Sequence, residues 1–208
     1  ADLGPWVQRT GSSVVLDAST AWGWVPLPAS WDRLILDART WSGVGGAVAV
    51  CSRAARRAPH PFDNVPSAVV AGLTAEHWMR AAPDAVDRVR ECTARIAAGV
   101  RDGITGLEVR GGSDGHLPHI LSISILYVDA EAVQTRLDAL GYAVGSGSAC
   151  ASRAGQPSHV LAAVGGFTSG NVRLGLTPQI DDAVAAGFVD ALVAVVTEVR
   201  AQMGTLDL

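Results

Sequence analysis

Lysine is absent from this chain: all sixteen of its basic residues are arginines. That absence excludes a Schiff base on any side chain, because a guanidinium stays protonated and is not a usable amine nucleophile. Cysteine is scarce, with only Cys51, Cys92 and Cys150. They are odd in number, widely separated and contain no CxxC pair. This argues against a zinc site or a disulfide framework and fits a reducing cytoplasm. Charged residues are 17% of the chain, below the usual quarter; a surface turned toward a partner and an alanine-rich bias both produce such a figure. The net charge of −4 gives no electrostatic case for nucleic acid or an anionic membrane. No apolar run reaches the roughly 20 residues of a membrane span, and no segment reads as a signal peptide. The chain opens on Ala1, not Met, and so reads as a processed chain or a fragment of a longer protein.

What is present points to a folded α/β protein. Of 208 residues, 49% are apolar, enough for one domain or two small ones. Residues 13–18 and 33–38 are short apolar runs that both end in Asp-Ala, and 46–51 form a third after a glycine-rich turn. Three strands in close succession predict the edge of a mixed sheet. Residues 53–66, with three prolines and adjacent arginines, read as an exposed loop. A helix over 67–81 leads into Pro83, and a second begins at Asp84. Strands are expected at 107–110, 120–127, 142–144 and 171–176. Asp129 caps a helix to Leu140, a short helix covers 158–164, and a long helix follows Pro178, Asp181 and Asp182 to Met203. From about residue 100 the pattern is an α+β sandwich. Six tryptophans, five of them before position 42, exceed what a short segment needs for its core; Trp22, Trp24, Trp31 and Trp41 suit a pocket or a subunit interface. His116 and His119 flank Pro118, which argues against a helix and hence against a metal site there.

The loop Gly145–Ser152 reads GSGSACAS and sets Cys150 among small residues, where a sulfur is accessible. A thiol needs a nearby cation to become a nucleophile, and Arg153 and His159 are candidates in sequence. GSGSACAS, then PSHVLAAVG at 157–165 and NVRLGL at 171–176, resembles the C-terminal domain of the cysteine desulfurases of the NifS and IscS type. Further resemblances precede it: LPHILSISI at 117–125, DNVPSAVVAG at 63–72 and LDASTAWGWVPLP at 16–28. The similarity keeps its order along nearly the whole chain but covers only about the latter half of such an enzyme.

The resemblance implies a partial fold type I pyridoxal-phosphate (PLP) transferase. Residues 1–95 would be the remnant of the large domain and 96–208 the small α+β domain. It places the persulfide-forming cysteine at Cys150, the substrate-carboxylate arginine at Arg173 and the aspartate facing the pyridine nitrogen at Asp17. The cofactor lysine falls on Thr40 and its neighbouring histidine on Arg39; the family's glutamine falls on Thr20, and its phosphate-contacting segment on His60–Asp63. These departures lead to an expectation of a degenerate relative that holds no cofactor and has no desulfurase activity alone. A persulfide acceptor or relay through Cys150 and a non-enzymatic partner subunit of a true desulfurase are the alternatives. The expected setting is cytoplasmic, as a homodimer or in association with a desulfurase-type protein, with no metal, nucleic acid or membrane.

Overall fold

A computed structural model describes residues 4–53, 64–112, 115–146, 159–163, 165–168 and 170–205. It divides into two compact units, Ala1–Asp84 and Ala85–Leu208. The chain is α/β, with a three-stranded sheet in the first unit and a four-stranded sheet in the second.

The first unit begins with α1 (Gly4–Thr10), followed by β1 (Val15–Asp17), β2 (Arg33–Asp37) and β3 (Val48–Ser52). β1 runs parallel to β2, with Val15 opposite Arg33 and Asp17 opposite Ile35. β3 runs antiparallel to β2, with Leu36 opposite Ala49 and Leu34 opposite Cys51. The sheet is therefore mixed, as the three clustered runs predict. The N-terminal part of α2 (Val65–Gly103) completes the unit. Its core is made of indole rings: Trp24, Trp41 and Trp78 are each only 5% exposed. Trp22 meets Trp41 edge to face at 4.9 Å, and Trp24 meets Trp78 at 4.9 Å. Trp78 Nε1 donates to the Trp22 carbonyl at 3.3 Å, and Trp41 Nε1 to the Ala71 carbonyl at 3.1 Å, so both buried donors are satisfied. Gly23 is required where it stands. Its φ is +80°, and a Cβ there would lie 2.0 Å from Trp78 Nε1. Arg53 stacks over Trp31 at 4.3 Å. Of the four tryptophans read as suiting a pocket or an interface, Trp22, Trp24 and Trp41 pack against indole rings inside the unit, and Trp22 and Trp41 also line a cavity.

The second unit holds the C-terminal part of α2, β4 (Leu107–Gly111), β5 (Ile120–Ile125), α3 (Ala130–Ala139), β6 (Gly145–Ser146), α4 (His159–Ala163), β7 (Asn171–Gly175) and α5 (Asp182–Met203). The sheet order is β4-β5-β7-β6, antiparallel throughout. Alternation in β5 sends Leu121, Ile123 and Ile125 to 0% exposure on the face that carries Val172 and Leu174 of β7. Each such burial contributes roughly 1.5–3 kcal/mol. Val89, Ile96 and Val100 of α2, Val133 and Leu137 of α3, and Phe188, Leu192 and Val195 of α5 are the other buried apolar groups of this unit. α2 and α5 approach closely at Gly99 and Gly103, where an added Cβ would lie 2.8 and 2.6 Å from Val189 and Val193. Asp129 and Asp181 cap α3 and α5, accepting from the amides of Glu131 and Val184.

Two local expectations fail for physical reasons. Pro83 does not separate two helices: α2 runs through it. A proline removes one backbone bond, and tertiary packing on both sides of it, at Trp78 and at Val89, keeps the helical path. The strand expected at 142–144 begins instead at Gly145, opposite Arg173. The Val144 carbonyl accepts from Gln134 Nε2 at 2.8 Å, and the Tyr142 ring packs edge-on against Phe188 at 5.5 Å. Those residues are thereby committed to α3 and α5. β2 is followed directly by a 3-10 turn, Ala38–Trp41.

Candidate functional site

Asp17 and Asp37 end the two parallel strands, each inside the same five-residue pattern: Leu16-Asp17-Ala18-Ser19-Thr20 and Leu36-Asp37-Ala38-Arg39-Thr40. In each, the aspartate accepts from the backbone amide two residues on, at 3.0 Å from Ser19 and at 3.0 Å from Arg39. This is the Asx turn that aspartate forms with its own backbone. The intervening Ala18 and Ala38 are 0% exposed, which leaves both carboxylates at the strand ends.

Ser19 joins the two turns. Its hydroxyl donates to Asp17 Oδ1 at 2.6 Å and accepts from the Asp37 amide at 3.0 Å. The Ser19 hydroxyl and amide hold the Asp17 carboxyl below its ordinary range. Asp37 is likewise lowered, first by the Arg39 side chain, which folds back as a fork onto both carboxylate oxygens. Thr40, exposed at the turn, donates its hydroxyl to the Asp37 carbonyl at 2.7 Å. The turn closes tightly: Ser42 has φ +66°, and a Cβ on Gly43 would lie 2.7 Å from the Ala38 carbonyl oxygen. Asp17 and Thr40, both picked from sequence, are thus linked through Ser19 and Asp37, which the sequence reading passed over. The repeated Leu-Asp-Ala-x-Thr pattern is the signal that could have found them.

A cavity of about 480 Å³ lies in the same unit, walled by Trp22, Trp41, Ala49, Ala68 and Ala71 over Leu36. Neither Asp17 nor Thr40 lines it, nor does any charged side chain.

In the second unit Arg173 lies on β7, exposed, opposite Ser122 of β5 and Gly145 of β6. It makes no ion pair among the described residues. The face it shares is polar. Asn171 Nδ2 donates to the hydroxyls of Ser122 and Ser124 at 2.8 and 2.9 Å. Glu108 accepts from Arg110 with one oxygen and from the Phe167 amide, at 2.9 Å, with the other. Cys150 and Arg153, as well as His60–Asp63, lie outside the described residues. Burial pushes the His119 imidazole down to about 4. No group of three or more His, Cys, Asp or Glu is placed to hold a metal ion among the described residues. No helix of the described residues is long and apolar enough to cross a membrane.

The family model for "Aminotransferase class-V" matches residues 32–183. The cysteine desulfurase of Gluconacetobacter diazotrophicus is 28% identical over 141 residues, covering 66% of this chain and 35% of that protein. The cysteine desulfurase of Nostoc sp. is 30% identical over 142 residues, 67% of this chain and 36% of that one. Among solved structures, a NifS-like protein superposes with a TM-score of 0.76 at 18% identity, over 92% of this chain and 55% of its own. The apo cysteine desulfurase from Thermococcus onnurineus NA1 superposes at 0.72 and 15% identity, over 94% and 55%. The chain thus spans about a third of these curated relatives and about half of these solved ones.

This kinship corrects the expectation of a chain without a cofactor. The cysteine desulfurases are PLP-dependent, so a cofactor belongs to what the family implies. The residues present match that group only in part. Asp17 retains an ionised carboxylate. But Thr40 offers a hydroxyl already bonded to the backbone, and Arg39, the cation beside it, is paired with Asp37. No side-chain amine exists to hold the cofactor covalently, so the fit fails at its attachment point. With residues 32–183 matched and the fold shared over nine-tenths of its length, this chain belongs to the aminotransferase class-V family and is cysteine desulfurase-like.

Proposed function

We propose that this chain is a cysteine desulfurase-like polypeptide that does not bind PLP as an aldimine on any side chain of its own, and that alone it releases no sulfur from cysteine. The observation that carries the reading is the absence of lysine from all 208 residues. The geometry at Thr40 supports it: a hydroxyl directed at the Asp37 carbonyl is neither an amine nor free to act as one. Within this reading, Arg173 is the carboxylate-binding position, because an exposed planar cation with no ion pair among the described residues suits a carboxylate. Cys150 is the position that accepts a persulfide sulfur.

The test is to add PLP to the purified chain, record the aldimine absorption band and assay sulfide release from L-cysteine. The expected result is a spectrum that equals the sum of its components, with no sulfide above a protein-free control. An aldimine band accompanied by turnover contradicts the reading.

A further inference from the structure

In the first unit the inward stripe of α2 runs through Ala68, Ala71, Ala75 and Trp78, at helical spacing. Trp78 occupies its place with a buried indole. The three alanines before it leave theirs open and line the cavity of about 480 Å³. Leu36 of β2 and Ala49 of β3 line it from the sheet, and Trp22 and Trp41 contribute two indoles. Gly72 lines the same space, and a Cβ added there would meet no atom within 4 Å. Protein interiors leave few voids larger than a water molecule. This one falls within the roughly 300–1,000 Å³ of small-molecule pockets. Its aromatic walls are also held in place. Trp41 donates its indole N–H to the Ala71 carbonyl at 3.1 Å, and Trp22 meets it at 4.9 Å with the rings 70° apart.

We propose that this cavity is a binding site for a neutral, flat aromatic molecule that carries a hydrogen-bond acceptor. Neutrality follows from the lining, which contains no charged side chain. A charge moved into it would lose its water and find no partner. Aromatic character follows from the two indoles, since rings set at a steep angle present both an electron-rich face and a positive edge to a third ring. Flatness follows from α2, where alanine and glycine leave a shallow wall. The acceptor follows from Asn64, which also lines the cavity. Its Oδ1 already accepts from the Ser67 amide at 3.1 Å, so the Nδ2 hydrogens are what this side chain offers a ligand. The inference goes beyond the aldimine reading and does not depend on it, because neither Asp17 nor Thr40 lines the cavity.

The experiment titrates the whole chain with three probes that share one ring system: 2-acetylnaphthalene, naphthalene and 2-naphthoate. Binding is read by quenching of indole fluorescence and by the methyl signals of Ala68, Ala71 and Ala75 in NMR. 2-Acetylnaphthalene is expected to saturate at one per chain and to shift those methyls. Naphthalene, which has no acceptor, should bind more weakly, and the charged 2-naphthoate weaker than 2-acetylnaphthalene by about 10-fold or more. Asn64→Asp keeps an oxygen for the Ser67 amide and removes the donors, so it should bring the two neutral probes to equal affinity. Ala68→Leu/Ala75→Leu fills the space and should abolish binding while keeping the circular dichroism of the parent. If the leucines unfold the chain, the methyl shifts of the parent decide alone. Absence of saturable binding, equal affinity of the parent for any two probes, or methyls unmoved at saturation overturns the proposal. So does a folded leucine variant that binds as the parent does. Self-association in sedimentation velocity that the leucines abolish also overturns it, since that assigns the space to a second copy.

Discussion

Ser19→Ala removes a side chain that ties the C-terminal ends of β1 and β2 together. Two interactions disappear: the hydroxyl donated to Asp17 at 2.6 Å and the acceptor for the Asp37 amide at 3.0 Å. The second decides the magnitude. The Asp37 amide is part-buried and would lose its hydrogen-bond partner, which costs about 1–3 kcal/mol. The Asp17 carboxylate is exposed, so its own loss appears as titration: its pKa rises toward the usual carboxylate range once the lowering hydroxyl is gone. All six tryptophans lie between positions 6 and 78, inside the first unit. Indole fluorescence during denaturant unfolding therefore reports on that unit separately. The expected result is a lower fluorescence midpoint with an unchanged slope, and an Asp17 carboxyl signal in NMR that titrates at higher pH. Ser19→Thr, which keeps the hydroxyl, should recover most of both. A midpoint and an Asp17 titration both unmoved by Ser19→Ala would refute the bridge.

Other outcomes follow from the same geometry. Gly23→Ala must place a methyl 2.0 Å from the Trp78 ring at a φ of +80°. Backbone strain and a displaced indole together should cost about 3 kcal/mol or more, read as a lower fluorescence midpoint; a change within error would contradict the packing described. His119 has a folded pKa of about 4 against an ordinary 6.5. The unfolded chain therefore binds its proton first, so this contribution is complete above pH 6.5 and is lost as pH falls toward 4. With its remaining solvent exposure discounted, the loss is about 2 kcal/mol. His119→Gln should flatten the pH dependence of helix unfolding followed by circular dichroism, and an unaltered slope would count against it. For Cys150, incubation with a small persulfide should leave the mass of one sulfur atom on that residue, absent in Cys150→Ala; a Cys150 that stays unmodified removes its sulfur-accepting role.

Much of the architecture was legible because the relevant signals are local. The Ile-Ser alternation of β5 has the period of a half-buried strand, and Asp129 and Asp181 stand where side chains satisfy the first amides of a helix. The two Leu-Asp-Ala runs read correctly as strands ending in carboxylates. What escaped depends on partners distant in sequence. Pro83 is carried inside α2 by packing that no local propensity reveals. β6 starts at Gly145 because Gln134 takes the Val144 carbonyl. The packing of Trp24 on Trp78 is another such case, since it needs Gly23 to leave room for the Trp78 ring. At the strand-end site, Asp17 and Thr40 were visible as positions in a family pattern. Ser19 was not, because the acceptor role that matters, toward the Asp37 amide, spans eighteen residues.

The central claim is tested most directly by chemical trapping. The chain is incubated with PLP, reduced with borohydride to fix any Schiff base, digested and mapped by mass spectrometry. The account predicts no adduct on any side chain, with labelling confined to the α-amino group of the first residue. A reduced adduct on any side chain would contradict it.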